Sequence, residues 1–128
     1  MMSSDWMRMS VIDYFFDMND IERYTSGDTI FKAGDSDTVL YGIKEGEVDL
    51  FFNGQLLETV GANGIVGEKT LIDGKPHTTT AIARTDCKII KLDESRFLFL
   101  IHDIPTFALD VMRTMSRRTR TLMDMAIR

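Results

Sequence analysis

Two short stretches, Val66-Gly67-Glu68 and Pro76-His77-Thr78-Thr79, hold the side chains of this chain best equipped to grip a ligand. Both lie within GANGIVGEKTLIDGKPHTTTA, Gly61 to Ala81. Gly67 stands directly before a short helical turn read from Glu68, Lys69, Leu71 and Ile72. A glycine there lets backbone N–H groups approach a ligand, and a helix N-terminus favours negative charge. Asp73-Gly74 then turns the chain, and Pro76 stops the helix and fixes the exit of the loop. Lys69 and Lys75 add cations, whose long stems suit solvent as well as a ligand. The local chemistry is an anion cradle, and the plain alternative is a Gly-rich connector between two elements.

Other chemistries find less support. His77 and His102 are the only histidines, 25 residues apart, so the clustered His and carboxylate donors of a metal site are not expected. No Ser/His/Asp arrangement has supporting context, Ser95 reads as part of a helix cap, and there is no Walker-type phosphate loop. No catalytic residue, metal or cofactor is expected. The single Cys87 excludes an internal disulfide and reads as a reduced, half-buried thiol in Cys87-Lys88-Ile89-Ile90.

The elements that would position these residues can be read from the rest of the chain. Its 128 residues suit a single domain, and 44% hydrophobic with 27% charged residues is an ordinary globular composition. No apolar run nears the roughly 20 residues of a membrane span, and no signal-peptide layout is present, so a cytoplasmic location is expected. The net charge of −5 argues against wholesale nucleic-acid or anionic-membrane binding. Residues 104–128 nevertheless carry five Arg and two Asp, net +3, which leaves −8 for the first 103 residues. Cations near a helix C-terminus complement its dipole, an explanation that needs no partner.

Residues 1–20 read as an N-terminal helix, with Trp6, Met9, Ile12 and Phe16 spaced by three and four. Residues 21–92 read as seven or eight short strands separated by turn signals, Asn53-Gly54 being the clearest hairpin. Residues 93–128 read as a helix pair: Asp93-Glu94-Ser95 caps the first, and Pro105 opens a longer one running to about Ile127. On the long helix Val111, Met112, Met115, Thr119 and Leu122 recur at helical spacing. That row can pack on the strands or on a second copy of itself. The expected fold is mainly β with flanking helices, an antiparallel β-roll of the jelly-roll kind carrying a cassette turn over 66–78.

The order of these elements resembles the cyclic-nucleotide-binding domain family, to which the catabolite activator protein and the regulatory subunits of cyclic-AMP-dependent protein kinase belong. The resemblance is carried by GDTIFKAGD (27–35), LYGIKEGEV (40–48) and GEKTLIDGKPHTTTA (67–81), and covers nearly the whole chain. It implies that 66–78 is a phosphate-binding cassette and that Glu68 is the carboxylate meeting a ribose 2′-hydroxyl. Backbone N–H groups near Gly67 and just after Pro76 would face the cyclic phosphate, which makes Gly67, Glu68, Lys69, Pro76, His77, Thr78 and Thr79 the candidate site.

The family places an Arg beside that proline, and this chain has His77. Arg is always charged and meets phosphate bidentately, whereas His has an ordinary pKa of about 6.5. Losing the Arg would cost roughly 2–5 kcal/mol, or about 1.5 to 3.5 decades of affinity. The chain is then a stand-alone regulatory module with weakened, pH-dependent or altered binding of a cyclic nucleotide or another small anion. Its alternatives are a vestigial pocket on a structural or dimerisation scaffold and, remotely, a cupin-like enzyme. Partners are expected through the long helix, as a homodimer or with another protein. DNA binding is not expected, because no helix-turn-helix follows and Arg117, Arg118 and Arg120 are too few to read bases.

Overall fold

The computed structural model describes residues 21–127, so the helix expected over 1–20 lies outside the described residues. Along the chain run β1 (Ile21–Tyr24), β2 (Thr29–Phe31), β3 (Leu40–Glu45), β4 (Val48–Phe52), β5 (Gln55–Val60), β6 (Ile65–Val66), α1 (Glu68–Asp73), β7 (Thr80–Ala83), β8 (Cys87–Leu92), α2 (Glu94–Asp103) and α3 (Thr106–Ala126). The strands form two four-stranded antiparallel sheets, ordered β1-β8-β3-β6 and β2-β7-β4-β5. This is the expected β-roll.

Apolar pattern explains which sheet is covered twice. In β8 (CKIIKL), Cys87 and Ile89 pack into the core between the sheets, while Ile90 and Leu92 join Leu100, Phe107 and Val111 from the helices. Leu40 and Tyr41 of β3 divide in the same way. A sheet buried on both faces needs apolar side chains at consecutive positions, which is why alternation is weak in these two strands. Asn53 (φ 50°) and Gly54 (φ 78°) form the two-residue hairpin turn that pairs Phe52 with Gln55, as the sequence predicts.

Three details differ from expectation, the first being that α1 ends at Asp73 with Gly74 as its cap, ahead of Pro76. β6 is only two residues long, too short to show any period, yet both residues are buried and pair with Tyr41 and Gly42. α2 runs through His102-Asp103, the pair at which the sequence suggests a break, before it ends, its first turn capped by Asp93 Oδ1 accepting from Arg96 N–H at 2.8 Å. Pro105 caps α3 at φ −58°, a value its ring enforces.

The inward row of α3 is Phe107, Val111, Thr114 and Arg118, all buried, with Leu122 half-buried one turn on. An arginine therefore occupies a core-facing position. The row read from the sequence does not form one face. Val111 is buried, Met115 and Leu122 are half-buried, and Met112 and Thr119 are exposed. Methionine fits either environment, so spacing alone could not separate the two sides.

Candidate functional site

Gly67 begins the site with φ +74°, the left-handed region that a side chain resists. A Cβ there would lie 2.9 Å from His77 Cε1 and 3.1 Å from the Phe31 and Tyr41 rings. Glycine is thus required twice, by conformation and by space. It sends the chain from β6 into α1 with Glu68 turned inward; Glu68 is only 4% exposed.

Glu68 is held by Arg118. The guanidinium Nη1 donates to both Glu68 carboxylate oxygens at 3.0 Å, Nη2 donates to the Ile65 carbonyl at 2.7 Å, and Nε donates to Glu58 Oε1 at 2.8 Å. Arg117 Nη2 donates to the other Glu58 oxygen, also at 2.8 Å. One buried side chain of α3 therefore ties together β5, β6 and α1. A buried carboxylate is tolerated only when paired and hydrogen-bonded, and Arg118 does both.

His77 is anchored on another side of the cassette. Its Nε2 lies 2.6 Å from Asp37 Oδ1 and its Nδ1 3.1 Å from Thr70 Oγ1. A carboxylate only accepts, so Nε2 carries a hydrogen; in the neutral ring Nδ1 then accepts from the Thr70 hydroxyl. The ring stacks on Phe31 with centroids 4.0 Å apart. Tyr41 Oη donates to the second Asp37 oxygen at 2.7 Å. Burial, and then this bond to Asp37, push the Tyr41 hydroxyl well above its ordinary range. The backbone is clamped too: Gly34 N–H donates to the His77 carbonyl and His77 N–H to the Asp35 carbonyl.

The hydroxyl, imidazole and carboxylate of Thr70, His77 and Asp37 stand in a row that has the order of a nucleophile relay. The Thr70 hydroxyl belongs to a residue 1% exposed and has no open approach for a substrate. Among the described residues no cluster of three metal-ligating side chains occurs.

Between Glu68 and the loop after Pro76 lies a narrow cleft with a cavity volume of about 30 Å³. Gly67, Glu68, Lys69, His77, Thr78 and Thr79 line it, together with Leu50, Leu57, Arg118 and Leu122. Pro76 is exposed and not part of the lining. Sequence reading missed Arg118 and Glu58 around Glu68, and Asp37, Thr70 and Phe31 around His77. Arg118 had a signal, since it continues the inward row of Val111 and Thr114. Asp37 had none, because 40 residues separate it from His77.

The chain matches the sequence profile of the cyclic nucleotide-binding domain over residues 21–103. It belongs to the cyclic nucleotide-binding domain family. Among solved structures it is similar to the catabolite activator protein of Thermus thermophilus, at 28% identity and a TM-score of 0.71, over 94% of this chain and 58% of that one. The N-terminal domain of a transcriptional regulator from Streptomyces coelicolor A3(2) is 31% identical with a TM-score of 0.56, covering 81% of this chain and 76% of that domain. The fold is also that of PKAR CBD2 solved with Sp-2Cl-cAMPS bound, at 19% identity and a TM-score of 0.75, over 96% of this chain and 88% of the other. This cyclic nucleotide-binding domain thus spans less than two thirds of the Thermus protein. Among the described residues no helix is long and apolar enough to cross a membrane.

Proposed function

We propose that this domain is a cytoplasmic regulatory module whose cleft takes a small ligand and whose output is the position of α3. Its affinity for a cyclic nucleotide is weakened relative to a site with an arginine at position 77. The Glu68–Arg118 pair carries this reading. It spans the cleft, joining the carboxylate best placed for a ligand hydroxyl to the helix that closes the site. A ligand that competes for Glu68 loosens Arg118, whereas one that packs under Leu122 reinforces it. Either way occupancy biases α3 between two positions, and the bias equals the ligand's differential affinity for them.

The regulatory character of the relatives supports a signalling role without catalysis. The partner surface is the outer row of α3, where Leu109, Met112 and Met123 are 41%, 57% and 64% exposed. With Ser116, Thr119 and Ala126, also exposed, they repeat at three and four residues, the spacing of a two-helix seam with a second copy.

A structural-scaffold reading draws on one observation: among the described residues every buried side-chain nitrogen and oxygen already has a partner, so the pocket is satisfied without a ligand. Thermal stabilisation and calorimetry with cyclic AMP, cyclic GMP and adenosine separate the two. The sensing reading expects concentration-dependent stabilisation by at least one of them, since a ligand bound only to the folded state stabilises it by mass action. No shift with any of the three at millimolar concentration would leave the scaffold.

A further inference from the structure

Arg118 lines two spaces of very different size. The cassette cleft has about 30 Å³ of room, whereas a groove between α3 and the loop joining β5 to β6 has about 360 Å³. A small-molecule pocket typically measures roughly 300–1,000 Å³, so of this pair only the groove has that size. Its loop wall is held to β3 by backbone bonds. Asn63 takes φ +71°, its N–H donates to the Ile43 carbonyl at 2.8 Å, and Ile43 N–H donates to the Gly64 carbonyl at 3.0 Å. Gly64 N–H closes the turn on the Gly61 carbonyl at 3.1 Å, and a Cβ at Gly64 would collide with Val60 Cγ1. The groove is therefore formed before any ligand arrives.

The helix wall supplies the charge. Arg118 is held by Glu58, Glu68 and the Ile65 carbonyl together. Arg117, also in the lining, is not: among the described residues only its Nη2 is bonded, to Glu58 Oε2, and its side chain is 52% exposed. Its other N–H groups remain available, and a guanidinium fork meets a phosphate with two parallel bonds. Glu58 is the one carboxylate in the lining, and it serves both guanidiniums. Thr114 Oγ1 donates to the Asp110 carbonyl at 2.9 Å, which leaves its lone pairs to accept from a ligand hydroxyl. Among the described residues no aromatic side chain lines the groove, so nothing there stacks a nucleobase. We infer that the groove is a second ligand site, separate from the cassette cleft, for a small organic phosphate of the sugar-phosphate class. Arg117 meets the phosphate, and the hydroxylated body lies along the loop over 60–65.

The test titrates the full chain with ribose 5-phosphate and follows backbone amides by two-dimensional NMR, with ribose and inorganic phosphate as the two halves of the probe. Saturable shifts are expected over 60–65 and 114–118 at millimolar ligand, with each half binding more weakly than the whole. Arg117→Gln is expected to weaken ribose 5-phosphate at least about ten-fold, the loss of a charged hydrogen bond. Glu58→Gln, which removes the competing carboxylate at constant size, is expected to strengthen it. Arg120→Gln removes an exposed charge that does not line the groove and should change the affinity less than about two-fold. Thermal melts check that each variant is folded. Equal losses in Arg117→Gln and Arg120→Gln would show diffuse attraction and overturn the site. Absence of a saturable shift, shifts confined to 67–79, or inorganic phosphate binding as tightly as ribose 5-phosphate would overturn it as well. None of these outcomes bears on whether the cassette cleft takes a cyclic nucleotide.

Discussion

Gly67 and Gly74 bracket α1 with nearly the same backbone, φ +74° and +70°, and differ in what surrounds them. A Cβ at Gly74 would meet nothing within 4 Å, whereas at Gly67 it would press on three rings. Gly74→Ala should therefore cost only the left-handed strain, about 1–2 kcal/mol. Gly67→Ala should cost that plus overpacking of about 1–3 kcal/mol more, read as the difference between two urea denaturation curves. If the two variants were equally destabilised, the ring contacts would not be what selects glycine at position 67. The grouping of Gly67, Glu68 and His77 around one turn was legible in the sequence, because their spacing around a turn and a proline is local. Their partners were not. Asp37 and Arg118 reach the cassette from 40 and 50 residues away, and no local pattern encodes such a pairing.

At the scale of elements, the strands were legible wherever a turn residue or an apolar pair marked them, and Asn53-Gly54 gave its hairpin register correctly. β6 was missed because two residues have no period. The long helix was legible in extent and not in orientation, since an apolar row that mixes methionine with threonine suits both sides. Arg118 on the inward row decides which side faces the strands. The outer row then becomes the surface on which self-association is tested. Met112→Glu with Met123→Glu should abolish dimers in light scattering and leave the melting curve nearly unchanged, because exposed positions typically contribute within about 0.5 kcal/mol. A wild-type protein that stays monomeric at high concentration would rule out the homodimer. A dimer that survives both substitutions would place the interface elsewhere.

In the molecule as a whole, sheet β1-β8-β3-β6 lies between two cores, one shared with the second sheet and one with α2 and α3. Strands buried on both faces resist opening, whereas α3 beyond Phe107 and Val111 depends increasingly on polar contacts made by Arg117 and Arg118. Stability is therefore expected to be graded along α3, with its last turns the part most able to shift. That gradient gives the Glu68–Arg118 pair its leverage: a change of charge inside the cleft is felt first by the helix that closes it. The comparison of amide hydrogen exchange in wild type and Glu68→Gln tests this coupling without requiring a ligand to be known. The substitution keeps the shape of the side chain and removes its charge. Backbone amides over 118–126 are expected to exchange at least about ten-fold faster, with β3 and β8 unchanged. Unaltered exchange in α3, or an equal rise in the strands and the helix, would contradict this coupling.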